Sequence, residues 1–158
     1  MMTKIKFELN NKEYVFNEDP SKRLLDILRN NFSLTGIKEG CGEGECGACA
    51  VLINGELINS CLVPLANVHN KKIMTIEGLS ETKRGKLIKD SFSKAGAVQC
   101  GFCTPGMMMA TEALLNKNPH PSVDEIKIGL SGNLCRCTGY NMIIEAVLLA
   151  AKEGEGLW

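Results

Sequence analysis

Eight cysteines in a chain of 158 residues fall into two separate groups, and no other feature limits the fold as strongly. Cys41, Cys46, Cys49 and Cys61 form the first group; Cys100, Cys103, Cys135 and Cys137 form the second. A chain this short can bury one ordinary core or two small ones. Small cores leave too little apolar burial to offset chain entropy, so they lean on crosslinks, metals or a partner surface. The cysteines are the candidates for that role.

Their redox setting follows from the rest of the sequence. Met1 to Asn10 alternates charged and apolar residues, without the apolar core and small-residue cleavage site of a secretory signal. No stretch is long and apolar enough to span a bilayer. The expected location is therefore the cytoplasm, where clustered cysteines hold metal or do redox work more often than they form disulfides. Lys plus Arg and Asp plus Glu number 18 each, which leaves no basic field for a phosphate backbone and makes nucleic acid an unexpected partner.

The first group is spaced C-x4-C-x2-C with a distant fourth cysteine, the plant-type 2Fe-2S pattern. Gly40, Gly42, Gly44 and Gly47 interleave the ligands. Lacking Cβ atoms, they let the backbone take positive φ and bring N–H donors to cluster sulfurs, which raises the reduction potential. A zinc site or a thioredoxin-like pair would use Cys46 and Cys49, yet would leave Cys41 and the glycines unexplained. A Rieske centre needs two histidines, and His69 and His120 lie outside both groups, as surface residues would. The consecutive C-x2-C-x2-C of a 4Fe-4S site is absent.

The second group, C-x2-C plus C-x-C, is less diagnostic, and a structural zinc stays open for it. Each pair lies just before an apolar-periodic run, one beginning at Met107 and the other at Tyr140. Two helix N-termini facing one another would offer N–H groups and positive dipole ends to an anionic cluster. Met107, Met108 and Met109 read as core packing rather than a soft-metal site. Arg136 is either a charge-balancing cation between two ligands or an ordinary surface residue. An oxidised 2Fe-2S cluster with four thiolates carries about −2, so a two-cluster protein would be acidic.

Periodicity divides the chain. Ile5–Leu9 and Tyr14–Phe16 flank Asn10 and Asn11 as an opening hairpin, and Ala50–Ile53 and Glu56–Asn59 flank Asn54-Gly55 as a second. Leu24, Leu25, Ile27, Leu28 and Phe32 recur at helical spacing, and Ile73–Ile76 is one more candidate strand. Beyond the polar, glycine-bounded stretch at 78–85 the pattern turns helical: Leu87–Lys94, Met107–Leu115, Val123–Leu130 behind a Ser122/Glu125 capping box, and Tyr140–Lys152. The expected fold class is α+β, with a 2Fe-2S domain at 1–78, a linker at 79–85 and a helical 2Fe-2S domain, a compact bundle of four helices, at 86–158.

Three segments carry a resemblance: G-I-K-E-G-C-G-E-G-E-C-G at 36–47, A-V-Q-C-G-F-C-T-P-G-M at 97–107 and S-G-N-L-C-R-C-T-G-Y at 131–140. Together they resemble the small iron-sulfur subunit of the molybdenum hydroxylases, the xanthine dehydrogenase and aldehyde oxidoreductase family, over essentially the whole chain. Ala50 stands where that family commonly has Thr, which touches no ligand. The resemblance implies a ferredoxin-like β-grasp half followed by a four-helix bundle, with a 2Fe-2S cluster in each. It also implies a large molybdopterin-binding subunit and an FAD-binding subunit as partners, in a dimer of such heteromers. Electrons would pass from molybdenum through the second cluster, then the first, to FAD. Gln99 and Cys137 match the positions that hydrogen-bond the pterin, and no residue is expected to be catalytic on this chain. A free ferredoxin-type carrier and a zinc-stabilised interaction module are the competing expectations.

Overall fold

The computed structural model describes residues 2–158. Strands β1 (Thr3–Leu9) and β2 (Lys12–Glu18) form the opening hairpin, and Asn10 and Asn11 take φ of 49° and 65° at its turn. Alternation along β1 sends Ile5, Phe7 and Leu9 to one face. They pack against Leu24, Leu25, Ile27 and Leu28.

Leu24 and Leu25 sit on α1 (Leu24–Asp26), which continues as a π-helical turn over Ile27–Asn31, carrying Ile27 and Leu28, rather than as a regular helix. The Phe32 N–H reaches back five residues to the Ile27 carbonyl at 3.3 Å. The wider turn keeps all four aliphatic side chains buried while Phe32 swings under the hairpin. Its ring centroid lies 5.0 Å from Tyr14 and 5.9 Å from Phe7.

Strands β3 (Ala50–Ile53) and β4 (Glu56–Asn59) join through Asn54 and Gly55, both at positive φ. With β5 (Lys72–Met74) they complete a five-stranded sheet of order β2-β1-β5-β3-β4, in which β1 and β5 run parallel. Strand β3 is buried on both faces. Val51 and Ile53 enter the core with β1 and α1, and Ala50 and Leu52 enter the core of the helical half. An all-apolar A-V-L-I strand is what such a position demands.

The helical half begins earlier than periodicity predicts. The strand expected to run to Ile76 stops at Met74, and the expected linker at 79–85 lies within α2 (Ile76–Glu81) and the start of α3 (Lys83–Lys94). Close packing explains the difference. Leu79 is fully buried, a Cβ on Gly85 would run into the Leu79 carbonyl, and one on Gly78 would run into Asn10. The two glycines that mark a flexible stretch in sequence are therefore contact points. Thr82 caps α3 by accepting from the Gly85 N–H at 2.9 Å.

Helices α4 (Thr104–Lys117), α5 (Val123–Gly129, with its Ser122/Glu125 capping box) and α6 (Asn141–Glu153) follow. Phe92, Ile88, Met107, Met109, Ile126, Ile143 and Val147 make their common core, so the methionine run is core packing, as expected. The C-terminal segment is clasped to it: Trp158 Nε1 donates to Glu112 at 2.9 Å, and Arg84 donates to Glu112 and to the Leu157 carbonyl. The architecture is mixed α+β, and among the described residues no helix is long and apolar enough to cross a membrane.

Candidate metal centres

All eight cysteines are free thiols, and the sulfurs that neighbour one another fall within the same two groups of the sequence. Cys41 and Cys46 lie in the loop leading to β3, Cys49 immediately precedes β3, and Cys61 lies in a 3-10 turn, Ser60–Leu62, that follows β4. The β3–β4 hairpin therefore carries Cys61 back to the loop. Its approach is fixed by the Ser60 N–H and hydroxyl, which both donate to the Cys49 carbonyl, at 3.2 and 2.8 Å.

Backbone donors organise the first site. Cys41 Sγ accepts from the N–H groups of Glu43 and Glu45, each at 3.3 Å, and Cys46 Sγ accepts from the Cys41 N–H at 3.4 Å. Positive φ at Gly42, Gly44 and Gly47 turns the chain around the sulfurs. A Cβ on Gly40 would come within 2.9 Å of Cys46 Sγ. The Glu43 and Glu45 donors bring the exposed Cys41 thiol down to about 7, whereas burial pushes Cys61 up to about 11.

The second site is assembled from two short turns. Cys100 follows α3 in an irregular segment and Cys103 caps the N-terminus of α4, with Pro105 in its first turn. Cys135 and Cys137 lie in the turn before α6, whose N-cap, Tyr140, holds a φ of 71°. Burial pushes Cys103 up to about 12, with Cys135 beside it. Burial also pushes Cys135 upward, but donors outweigh it: the Thr138 hydroxyl at 3.2 Å, the Thr138 N–H at 3.5 Å and the Cys137 backbone bring that thiol to about 7. Cys137 is raised by its neighbour Cys100, the two sulfurs lying 3.6 Å apart.

Within each group the nearest sulfur partners are Cys41 with Cys46, Cys49 with Cys61, Cys100 with Cys137 and Cys103 with Cys135, and Cys41 also acts on Cys61 and Cys100 on Cys103 across the pairs. Among the described residues, no three His, Cys, Asp or Glu side chains converge where one ion would sit. A tetrahedral zinc needs four donors on one point, whereas two sulfide-bridged irons need two thiolates each. Paired thiols, sulfur-directed N–H groups and a close-fitting glycine form a donor set that suits a 2Fe-2S cluster.

Residues with no signature in the sequence join the two sites. Asn133, only 4% exposed, donates from Nδ2 to the Gly47 carbonyl at 3.2 Å, and the Leu134 N–H donates to the Cys46 carbonyl at 3.0 Å. A Cβ on Gly47 would strike Asn133 and the Gly132 carbonyl, and one on Gly106 would strike the Gly47 carbonyl. Three segments thus meet at one peptide group. Glu77 adds a further tie, accepting from the Gly36 N–H at 2.8 Å and from the Thr75 hydroxyl at 2.7 Å. The buried asparagine was indistinguishable from any polar loop residue in the S-G-N-L-C-R-C segment.

Gln99 is exposed directly before Cys100, and Cys137 is exposed beside Cys100. Arg136 is exposed, as are His69 and His120, both outside the cysteine sites.

Two family models match the chain: a 2Fe-2S iron-sulfur cluster binding domain over residues 7–72 and a 2Fe-2S binding domain over residues 75–148. The chain is 48% identical to the nicotinate dehydrogenase small FeS subunit of Eubacterium barkeri, over 94% of this chain and 95% of that protein. It is 47% identical to the xanthine dehydrogenase iron-sulfur-binding subunit of Escherichia coli O157:H7, over 94% of each. Among solved structures, a chain of quinoline 2-oxidoreductase from Pseudomonas putida 86 superposes with a TM-score of 0.91 at 42% identity, covering 98% of this chain and 96% of that one.

Proposed function

The chain belongs to the family of small 2Fe-2S subunits of the molybdenum hydroxylases, the xanthine dehydrogenase and aldehyde oxidoreductase group, and from that premise we propose that it relays electrons from a molybdopterin site to FAD, both on partner subunits, through two 2Fe-2S clusters of its own. The observation that carries this reading is the pairing of sulfurs in both quartets. Cys41, Cys46, Cys49 and Cys61 would hold one cluster, and Cys100, Cys103, Cys135 and Cys137 the other. Each cluster, when bound, supplies a one-electron carrier.

The protein's own part is to hold, orient and insulate. Cys49 and Cys61 are buried against the sheet core, so the inner side of the first site is dry. Cys100 and Cys137 are exposed, which suits the side that would meet a pterin-bearing partner, with Gln99 alongside as a hydrogen-bonding group. The contacts at Asn133 and Leu134 hold the two sites in one orientation. The helical half is read as a four-helix bundle, and the chain as two cluster-binding domains dividing near residue 78. A cytoplasmic location and a dimer of heteromers complete the proposal.

The test is composition followed by spectroscopy. Iron and acid-labile sulfide should each come to about four per chain, and the reduced complex should give two distinct electron paramagnetic resonance signals. A colourless protein holding only zinc would remove the proposal. A monomer that co-purifies with no molybdenum or flavin subunit would point instead to a free carrier.

A further inference from the structure

The donors to sulfur differ in kind between the two sites. Among the described residues, every donor to the first quartet from outside the thiols is a backbone N–H: Glu43, Glu45 and Cys46 to Cys41, Cys41 to Cys46, and Gly44 to Cys61. The second quartet has one side-chain hydroxyl, Thr138 Oγ1, which donates to Cys135 Sγ at 3.2 Å. That hydroxyl is itself oriented, because its oxygen accepts from the Tyr140 N–H at 3.3 Å. The peptide that carries the Tyr140 N–H is turned back toward Thr138 at Gly139, whose φ of 65° suits a residue without a Cβ. The Tyr140 hydroxyl in turn accepts from the Cys135 N–H at 2.9 Å, closing a ring over residues 135–140. The geometry therefore gives a directed chain, Tyr140 N–H to Thr138 O–H to Cys135 Sγ. In such a chain each donor polarises the next.

We infer that Thr138 is a tuning residue for the second cluster, raising its reduction potential through the hydroxyl donated to Cys135, with Tyr140 positioning that hydroxyl. The inference rests on the two-cluster reading above. Adding one electron increases the negative charge on the cluster sulfurs, so a donor to Cys135 stabilises the reduced form more than the oxidised one. No proton is transferred and no bond is broken; the hydrogen bond only strengthens on reduction. The corresponding donors in the first site belong to the main chain, where only proline removes an N–H, and it fixes φ at the same time. The relative potential of the two clusters, and hence the direction in which an electron rests between them, is therefore open to change at one side chain.

The experiment is a redox titration of the purified complex followed by electron paramagnetic resonance. The second cluster's signal is identified as the one missing from Cys100→Ser. In Thr138→Val and Thr138→Ala that signal should titrate at lower potential, by about tenfold in the one-electron equilibrium or about 59 mV. The first cluster should titrate as in the unaltered protein, and Thr138→Ser, which keeps the hydroxyl, should restore the second. Should the variants lose the second cluster, the unaltered protein still decides: proton double resonance in H2O against D2O should show an exchangeable proton strongly coupled to the second centre, beyond those of the peptide N–H groups. Unshifted Val and Ala variants, equal shifts in both clusters, or the absence of that proton would overturn the inference while leaving the two-cluster reading intact. An iron and sulfide count below two clusters in the unaltered complex would overturn that reading instead.

Discussion

In the first site three sulfurs ride on a single loop from Cys41 to Cys49, and main-chain N–H groups and glycine conformations arrange them. In the second, two turns far apart in sequence each deliver two sulfurs, and side chains join the backbone donors: the Thr138 hydroxyl on Cys135 Sγ, the Tyr140 hydroxyl on the Cys135 N–H, and Asn133 across to the other loop. Half of the first quartet is buried, while Cys100 and Cys137 of the second are exposed. A site made from backbone tolerates side-chain change between its ligands and fails at its glycines. A site made from side chains fails in graded steps and can be tuned.

The largest expected contrast lies in the ligands themselves. Cys49→Ser and Cys137→Ser should each lose one cluster, lowering iron from about four to about two per chain. Cys49 is part of the sheet core, where an unpaired serine hydroxyl adds roughly 1–3 kcal/mol of desolvation cost to the loss of the ligand. Thermal unfolding should accordingly start lower for Cys49→Ser than for Cys137→Ser. Equal melting temperatures would remove the distinction between a buried and an open site.

Gly47→Ala attacks the point where both sites meet. Its φ of 69° costs an alanine about 1–2 kcal/mol, and the added methyl would strike Asn133 and the Gly132 carbonyl as well. Both clusters should be depleted, as read by iron content and by the two resonance signals, although Gly47 lies only in the first loop. Loss confined to the first cluster would show that the junction does not couple them. Asn133→Ala sharpens the same point with a smaller change, about 1 kcal/mol for one lost hydrogen bond, because the Ala50 N–H still donates to the Gly47 carbonyl. It should lower the denaturation midpoint without abolishing loading. Chelator challenge of the reduced protein gives an order rather than a magnitude: the second cluster, beside exposed Cys100 and Cys137, should bleach first.

The sequence carried the parts of this comparison that rest on local chemistry. The Asn54-Gly55 hairpin has the strand limits its turn residues predict, and the Ser122/Glu125 box starts α5 where expected. The first group of cysteines is legible because its loop is a local object, whereas the second joins two turns far apart in sequence. What stayed hidden was tertiary. Gly78 and Gly85 read as loop markers because composition does not distinguish a glycine that bends from one that lets another residue approach. The π turn after Asp26 answers to packing under the hairpin, not to helix propensity. Asn133, Thr138 and Tyr140 are ordinary polar residues until the fold sets them against a carbonyl, a sulfur and an N–H.

Tyr140→Phe is the finest test of the side-chain-built site. It keeps the ring and the left-handed backbone but removes the oxygen that accepts from the Cys135 N–H. The lost hydrogen bond is worth about 1 kcal/mol, an amount that differential scanning calorimetry resolves in a protein of this size. The Tyr140 N–H still donates to Thr138, so the chain to Cys135 Sγ persists. The potential of the second cluster should then move less than in Thr138→Val, and that of the first not at all. If Tyr140→Phe shifted the second cluster as far as Thr138→Val, the shift would not be specific to the hydroxyl donated to the sulfur, because Tyr140→Phe differs from the unaltered protein only in an oxygen that never touches Cys135 Sγ.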